Sequence, residues 1–329
     1  MAVFQGFSNI FKVPELRRRV AFTLALLAVY RVGVFVTTPG VDRTVMKNIM
    51  SRQGGLLGLF NLFSGGALEN LSIFALGIMP YISTSIIMQL LGMVSKQVEE
   101  LRKEGESGRR KLEQYTRYGT LVLSAFQSFG VAMYLEGLNN QSMGGGAVGD
   151  VVNDPGWGFR LLTVLSLTTG TTLIMWLGEQ ITERGIGNGI SLIIFAGIVC
   201  RGPAGLLSTF RLVSTGEMGI IFVVLLFLFM VAVVGFIVFV ESGQRRIPVQ
   251  YAKRIVGRKM YGGQTTHLPL KVNTAGVIPP IFASSIIMFP ATIANFVPHP
   301  WMKAVADYLR PGAFLYEAVY VGFIVFFCF

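Results

Sequence analysis

Charge is scarce in this chain: Asp, Glu, Lys and Arg make up 14% of its 329 residues, against 52% hydrophobic residues and a mean hydropathy of +0.60. A soluble domain carries about a quarter of its residues charged, so this composition excludes one. Cysteine is nearly missing. Cys200 and Cys328 lie far apart inside apolar segments, which leaves no disulfide framework and no metal-ligand spacing, and packing is their simplest use. The two histidines, His267 and His299, are isolated in loops. With no His-Glu-x-x-His pattern and no aspartate pair inside an apolar run, the groups that proteolysis or group transfer would need are absent, and neither metal nor cofactor is expected. The glycine-rich stretch from Gly185 to Ile190 lacks the Lys and Ser/Thr of a phosphate loop, and reads as a turn that starts a helix.

What the chain does have is long apolar runs. The stretch from Gly219 to Val240 holds no charge and is long enough to cross about 30 Å of hydrocarbon at about 1.5 Å per residue. Apolar length and charged interruptions predict spans near residues 20–38, 72–93, 116–136, 158–178, 188–207, 219–240, 274–293 and 314–329. The first run follows Arg17, Arg18 and Arg19 as a signal peptide would, but no small-residue cleavage site follows it, so it reads as a permanent helix. The last run reaches Phe329 without a polar flank, and the chain is expected to be truncated there. The fold class is therefore an all-α polytopic membrane protein.

Cations alternate across the connecting segments, and Lys and Arg near span ends are retained on the cytoplasmic side. Lys12, Arg17, Arg18 and Arg19 precede the first span. Lys96, Arg102, Lys103, Arg109, Arg110, Lys111 and Arg117 fall between the second and third, and Arg245, Arg246, Lys253, Arg254, Arg258, Lys259 and Lys271 between the sixth and seventh. With Arg184 these form one side. The other side holds Arg43, Lys47, Arg52, Arg201, Arg211, Lys303 and Arg310, which predicts a cytoplasmic N-terminus. The net charge of +11 follows mainly from the inner loops. It fits either orientation and attraction to anionic lipids, or docking of an acidic or phosphate-rich partner.

Four features inside or beside the spans bear on function. Arg31, near the middle of the first span, must snorkel outward, pair, or face protein or water. The segment from Gly54 to Asn70 is too short and too polar to cross, so it is either a re-entrant element in a cavity or an external loop on the headgroups. Pro80 in the second span and Pro279, Pro280 and Pro290 in the seventh remove backbone donors and loosen their helices. Ile82 and Ile86, Ile190 and Ile194, and Ile278 and Ile281 each share a helix face, for packing or for a pore. Ser83, Thr84, Ser85, Gln89 and Gln127 are polar positions that face protein or water in preference to lipid.

Five strings, taken in order, resemble the SecY family of protein-conducting channels: NLFSGGALENLSIFALGIMPYISTSIIMQLL, KEGESGRRKLEQYTRYGT, ERGIGNGISLIIFAGIV, ESGQRRIPVQYAKR and THLPLKVNTAGVIPPIFASSIIMFP. The resemblance implies a bundle of two inverted five-span halves, the second incomplete after eight spans, and a conduit that is not an enzyme. It divides the chain into a cytoplasmic segment 1–19, a first half 20–207 with a plug near 55–70, and a partial second half 208–329 with a basic loop 241–273. It makes Ile82, Ile86, Ile190, Ile194, Ile278 and Ile281 a pore ring that seals by dewetting, and Phe60, Asn61, Leu62, Phe63, Ser64, Gly65 and Gly66 the plug. Ser85, Gln89 and Gln127 would line a lateral gate between spans two and three and spans seven and eight. Arg245, Arg246, Lys253 and Arg254, with Arg109 and Arg110 second, would dock translating ribosomes, through ribosomal RNA and exit-site proteins, and the SecA motor. Further implied partners are SecE, SecG, signal peptides, nascent chains, anionic lipids, YidC and SecDF, in the bacterial cytoplasmic (inner) membrane. The rival from another class, a secondary transporter with broken helices, would need midplane charges that these spans scarcely offer.

Overall fold

A computed structural model describes residues 13–52, 61, 64–142, 151–249, 254–256, 259–261, 266–272, 276, 279–280, 282–284, 286–287 and 313–328. The described elements are helices α1 (Pro14–Gly33), α2 (Arg43–Arg52), α3 (Met79–Val94), α4 (Lys96–Lys103), α5 (Glu106–Ser142), α6 (Trp157–Arg184), α7 (Gly189–Val199), α8 (Gly202–Ser214), α9 (Ile220–Glu241) and α10 (Phe314–Cys328). Four short strands stand between α9 and α10: β1 (Gln244–Val249), β2 (Arg254–Val256), β3 (Lys259–Tyr261) and β4 (Thr266–Lys271). The chain divides into two compact units, Met1–Pro203 with Phe282–Phe323, and Ala204–Ile281 with Ile324–Phe329.

Among the described residues, four helical stretches are long and apolar enough to cross a membrane: Glu106–Asn139 within α5, α6, Gly189–Ser214 taken through the break between α7 and α8, and α9; α10 is a shorter apolar helix. At 22 residues, α9 spans about 33 Å. The predicted run 72–93 is helical only from Met79, because residues 64–78 are tight turns and Pro80 sits in the first helical turn, where its missing N–H costs nothing. The run 188–207 breaks at Cys200 and Arg201, and most of 274–293 lies outside the described residues.

In the first unit α5 packs against α6, α3 and α4, while α7 packs against α6 and α1. A column four residues apart on α5, Thr116, Thr120, Ser124, Ser128 and Ala132, is buried. Its hydroxyls donate back to the carbonyls of Leu112, Thr116, Leu121 and Ser124, so the small side chains can be buried with their donors satisfied. Close approach depends on the missing side chains of glycine: a Cβ on Gly119 would lie 2.5 Å from Thr84 of α3, and one on Gly189 would run into the Gly178 carbonyl of α6. Met46, Leu71, Ala75, Leu135, Leu138, Val151, Val152, Phe159 and Leu167 form a buried cluster with Ala132.

Ion pairs and caps fix the helix ends. Glu136 of α5 accepts from both Nε and Nη2 of Arg160 at 2.9 and 2.6 Å, and from the Gly156 N–H at 3.0 Å. Arg117 donates to Glu179 at 2.8 Å. The side chain of Asn188 accepts from the N–H groups of Ile190 and Ser191, which caps α7 and makes the glycine-rich stretch the helix-starting turn its composition suggested. Asp42 does the same for α2, accepting from Thr44 N and Thr44 Oγ1.

In the second unit no residue of α9 is buried, and all but the half-buried Val223 are exposed. Beyond it, β1 pairs antiparallel with β4, setting Arg245 opposite Leu270 and Arg246 opposite Pro269, and β2 pairs antiparallel with β3. The basic loop thus contains hairpin-like pairings that its cation content did not announce.

Candidate functional site

Segment 64–78 begins where Gly65 and Gly66 take φ of +65° and +90°, a region glycine enters without the Cβ clash that other residues meet. Asn61, Ser64, Ala67, Asn70, Leu71, Ser72 and Phe74 are all buried. Irregular backbone buried in this way must find partners for its polar groups, because no water reaches them.

Part of that demand is met within the segment. Gly66 N donates to the Asn61 carbonyl at 2.9 Å, Ser72 N to the Ala67 carbonyl at 2.9 Å, and Asn70 Nδ2 to the Gly66 carbonyl at 3.0 Å. The rest is met from neighbouring elements. From α1, Arg31 Nη1 donates to the Gly65 carbonyl at 2.7 Å and Tyr30 OH to the Ser64 carbonyl at 3.3 Å. From α2, Arg43 Nε donates to Asn70 Oδ1 at 2.9 Å. Beyond the end of α7, Arg201 Nη2 donates to Glu69 Oε2 at 2.6 Å, and the same oxygen accepts from Asn61 Nδ2 at 3.2 Å. The Glu69 N–H completes the loop by donating to Asn61 Oδ1 at 3.1 Å. Gly65 also lies on Gly197 of α7, where a Cβ on Gly65 would stand 2.8 Å from the Gly197 Cα.

The two sequence alternatives for this stretch are thereby separated for its described part: Asn61, residues 64–67 and Asn70 are buried in protein, and Leu68 and Glu69 are half-buried. Arg31 pairs, and its guanidinium also lies 5.1 Å from the centre of the Phe35 ring. Of the predicted plug residues, Asn61, Ser64, Gly65 and Gly66 belong to this seat, while Phe60, Leu62 and Phe63 lie outside the described residues.

Of the predicted ring, Ile82 and Ile86 are buried on α3, at 7% and 3% exposed, and Ile190 and Ile194 are half-buried on α7. Ile190 reaches α6, its Cγ1 standing 3.0 Å from where a Gly178 Cβ would be. Ile278 and Ile281 lie outside the described residues. Among the gate positions Ser85 is half-buried and Gln89 exposed on α3, and Gln127 is half-buried on α5. Arg245 and Arg246 are exposed on β1, and Arg109 and Arg110 on α5, where Arg109 pairs with Glu113 at 3.3 Å. Arg254 begins β2, and Lys253 lies outside the described residues. Between α1 and α7 runs an apolar groove of about 550 Å³, lined by Leu24, Leu27, Leu192, Phe195 and Val199 among others.

Sequence reasoning missed Arg201, Tyr30, Asn61 as a bridge, and Gly197. The available signal was charge: Glu69 in a polar outer segment and Arg201 within the predicted run 188–207 carry opposite signs beside apolar residues, and each needs a partner.

The SecY family model matches residues 72–329. Protein translocase subunit SecY of Escherichia coli (strain K12) is 54% identical over 320 residues, covering 96% of this chain and 71% of that relative. Among solved structures, a protein conducting channel superposes with a TM-score of 0.64 at 16% identity, over 95% of this chain and 70% of that one. A SecY protein whose plug domain stabilises its closed state superposes at 0.57 and 18% identity, over 85% and 58%. The fold is thus that of the channels, several helices are long and apolar enough to span, and the chain is a multi-pass membrane protein that belongs to the SecY family.

Proposed function

We propose that this chain is the channel subunit of a protein translocase, which conducts unfolded polypeptide across a bacterial inner membrane and releases apolar segments sideways into the lipid. The observation that carries this reading is the buried irregular segment 64–78 seated between α1 and α7. A stretch of irregular backbone enclosed among helices fits a plug that closes a passage. An ordinary packing element would more simply be helical. Arg31, the one mid-span charge that a solute site would use, is engaged with the Gly65 carbonyl. That leaves no support for a secondary transporter.

In this reading Ile82 and Ile86, with Ile190 and Ile194 from α7 and Ile278 and Ile281 from the seventh span, form the apolar waist. Branched apolar side chains exclude water and ions when the waist is narrow, and offer a passing chain no group to stick to. Nothing is catalysed, and the driving force comes from outside. Ser85, Gln89 and Gln127 border the seam through which a signal peptide exchanges with lipid according to its transfer free energy.

The exposed arginines of β1, with Arg109 and Arg110, form the cytoplasmic docking face for the ribosome and for SecA, their guanidinium groups suiting phosphate and carboxylate alike. The groove between α1 and α7 suits an apolar helix of a small subunit such as SecE, with SecG completing the translocase. The halves are 20–207 and 208–329, and the N-terminus is cytoplasmic. The test is transport of an unfolded, signal-bearing polypeptide into vesicles carrying the purified chain with its co-purifying subunits, set against uptake of labelled small solutes. Polypeptide transport without solute uptake is expected. Solute uptake without polypeptide transport would overturn the reading.

A further inference from the structure

Resting on the plug reading above, we propose that Glu69 and Arg201, bridged by Asn61, are positioning residues that latch the buried segment shut. The geometry separates this contact from the others around the segment. Arg31 and Tyr30 grip backbone carbonyls at Ser64 and Gly65, a grip that any residue at those positions could receive. Arg43 meets only the neutral amide of Asn70, whereas Glu69 and Arg201 join opposite charges on side chains 132 residues apart in sequence, across 2.6 Å. The pair is partly sheltered, with side chains 34% exposed for Arg201 and 26% for Glu69. Asn61 is buried and turns both ends of its amide toward Glu69, donating to the carboxylate and accepting from the backbone N–H. The carboxylate is thus held in place before the guanidinium meets it.

Arg201 occupies the break between α7 and α8, just beyond the turn where Gly197 touches Gly65. A cation there stands at the end of the element against which the segment rests. Lifting the segment away requires the pair to separate, while the backbone within the segment keeps its own hydrogen bonds. A contact between two side chains from remote parts of the chain is a place where the closed state can be stabilised without stiffening the segment itself. It also explains why a carboxylate sits in a stretch that is otherwise buried and uncharged.

The test uses the full chain with its co-purifying subunits in vesicles, reading the resting ion leak with no polypeptide present. The variants are Glu69→Ala, Arg201→Ala, both together, and a deletion of residues 60–70. Each single change is expected to raise the leak roughly tenfold, the population ratio that corresponds to about 1.4 kcal/mol. The double variant should leak no more than either single one, since one interaction cannot be lost twice. Effects that multiply in the double variant, or single variants that leak like the parent while the deletion leaks strongly, overturn the latch and leave the plug standing. A deletion without added leak overturns the plug reading itself. Should alanine unfold the chain, seen as loss of its thermal transition, Glu69→Gln carries the test, with a smaller leak expected and none counting against the latch.

Discussion

Arg31 Nη1 donates to the Gly65 carbonyl across 2.7 Å, so the charge in the middle of the first span is matched to a buried backbone acceptor of an irregular segment. Each solves the other's problem: a guanidinium inside a span needs acceptors, and turn backbone inside a bundle needs donors. A hydrogen bond to a charged group contributes about 1.5–3 kcal/mol. Arg31→Met is expected to cost that much in thermal unfolding followed in detergent, and Arg31→Lys to recover part of it. A Met variant as stable as the parent would show that the arginine merely reaches for the interface.

The Gly65 and Gly197 contact is asymmetric, which gives a paired prediction. Gly65 has φ +65° and would place a Cβ 2.8 Å from the Gly197 Cα, whereas a Cβ on Gly197 would stand 3.4 Å from both the Gly65 Cα and the Tyr30 hydroxyl, an ordinary contact. Gly65→Ala therefore combines left-handed strain of about 1–2 kcal/mol with overpacking of about 1–3 kcal/mol. Gly197→Ala should be close to neutral. Equal melting temperatures for the two variants would contradict this geometry.

Glu136 is shared between Arg160 and the Gly156 N–H, and its side chain is only 12% exposed. Replacing it with Ala leaves a guanidinium and a backbone donor without their acceptor. The expected loss is about 2 kcal/mol, below the value for a fully buried pair because Arg160 remains 28% exposed. Glu136→Gln should lose less, since its carbonyl oxygen still accepts. A thermal scan of the three proteins at one detergent concentration checks the order.

Reversal of Arg245 and Arg246 to Glu should weaken binding of ribosomes and of the motor by roughly tenfold at 0.15 M salt, with the deficit shrinking as salt rises and charges are screened. Both side chains are exposed on a strand far in sequence from the buried segment, so membrane insertion and melting temperature should be unchanged. Unaltered affinity at matched salt would move the docking face elsewhere.

Asp42 gives a pH prediction. Hydrogen bonds from the side chain and backbone of Thr44 hold its carboxyl below the ordinary value of 3.8, overcoming the opposing effect of burial. A carboxyl depressed in the folded state contributes stability that is fully present above its unfolded value and is lost as pH falls through the lower folded value. The stability difference between the parent and Asp42→Ala should stay constant from neutral pH down to about pH 5, then narrow under acid. A difference that widens on acidification would contradict the capping role.

The fold was legible where the signal lay in composition. The uncharged run that became α9 is one continuous helix, and Asn188 caps α7 at the glycine-rich turn. Segment 64–78 was harder, because residues from Ser72 onward read as the start of a span, and only its packing against Gly33, Gly170 and Gly197 shows that the chain turns there first. The isoleucine pairs illustrate a second limit. Spacing puts Ile190 and Ile194 on one face of α7, yet it cannot say that Ile190 also reaches Gly178 of α6.

By itself the sequence determined that this chain enters a membrane, where its cations gather, and that Arg31 must snorkel, pair or face protein or water, because transfer of apolar runs and of charges between water and hydrocarbon depends on residue type alone. Which partners the charges found was decided by the tertiary structure. Arg201 meets Glu69, and Arg31 meets Gly65, only after α1 and α7 have packed around a segment remote from both, and the energy of a hydrogen bond falls off within an ångström of its proper length.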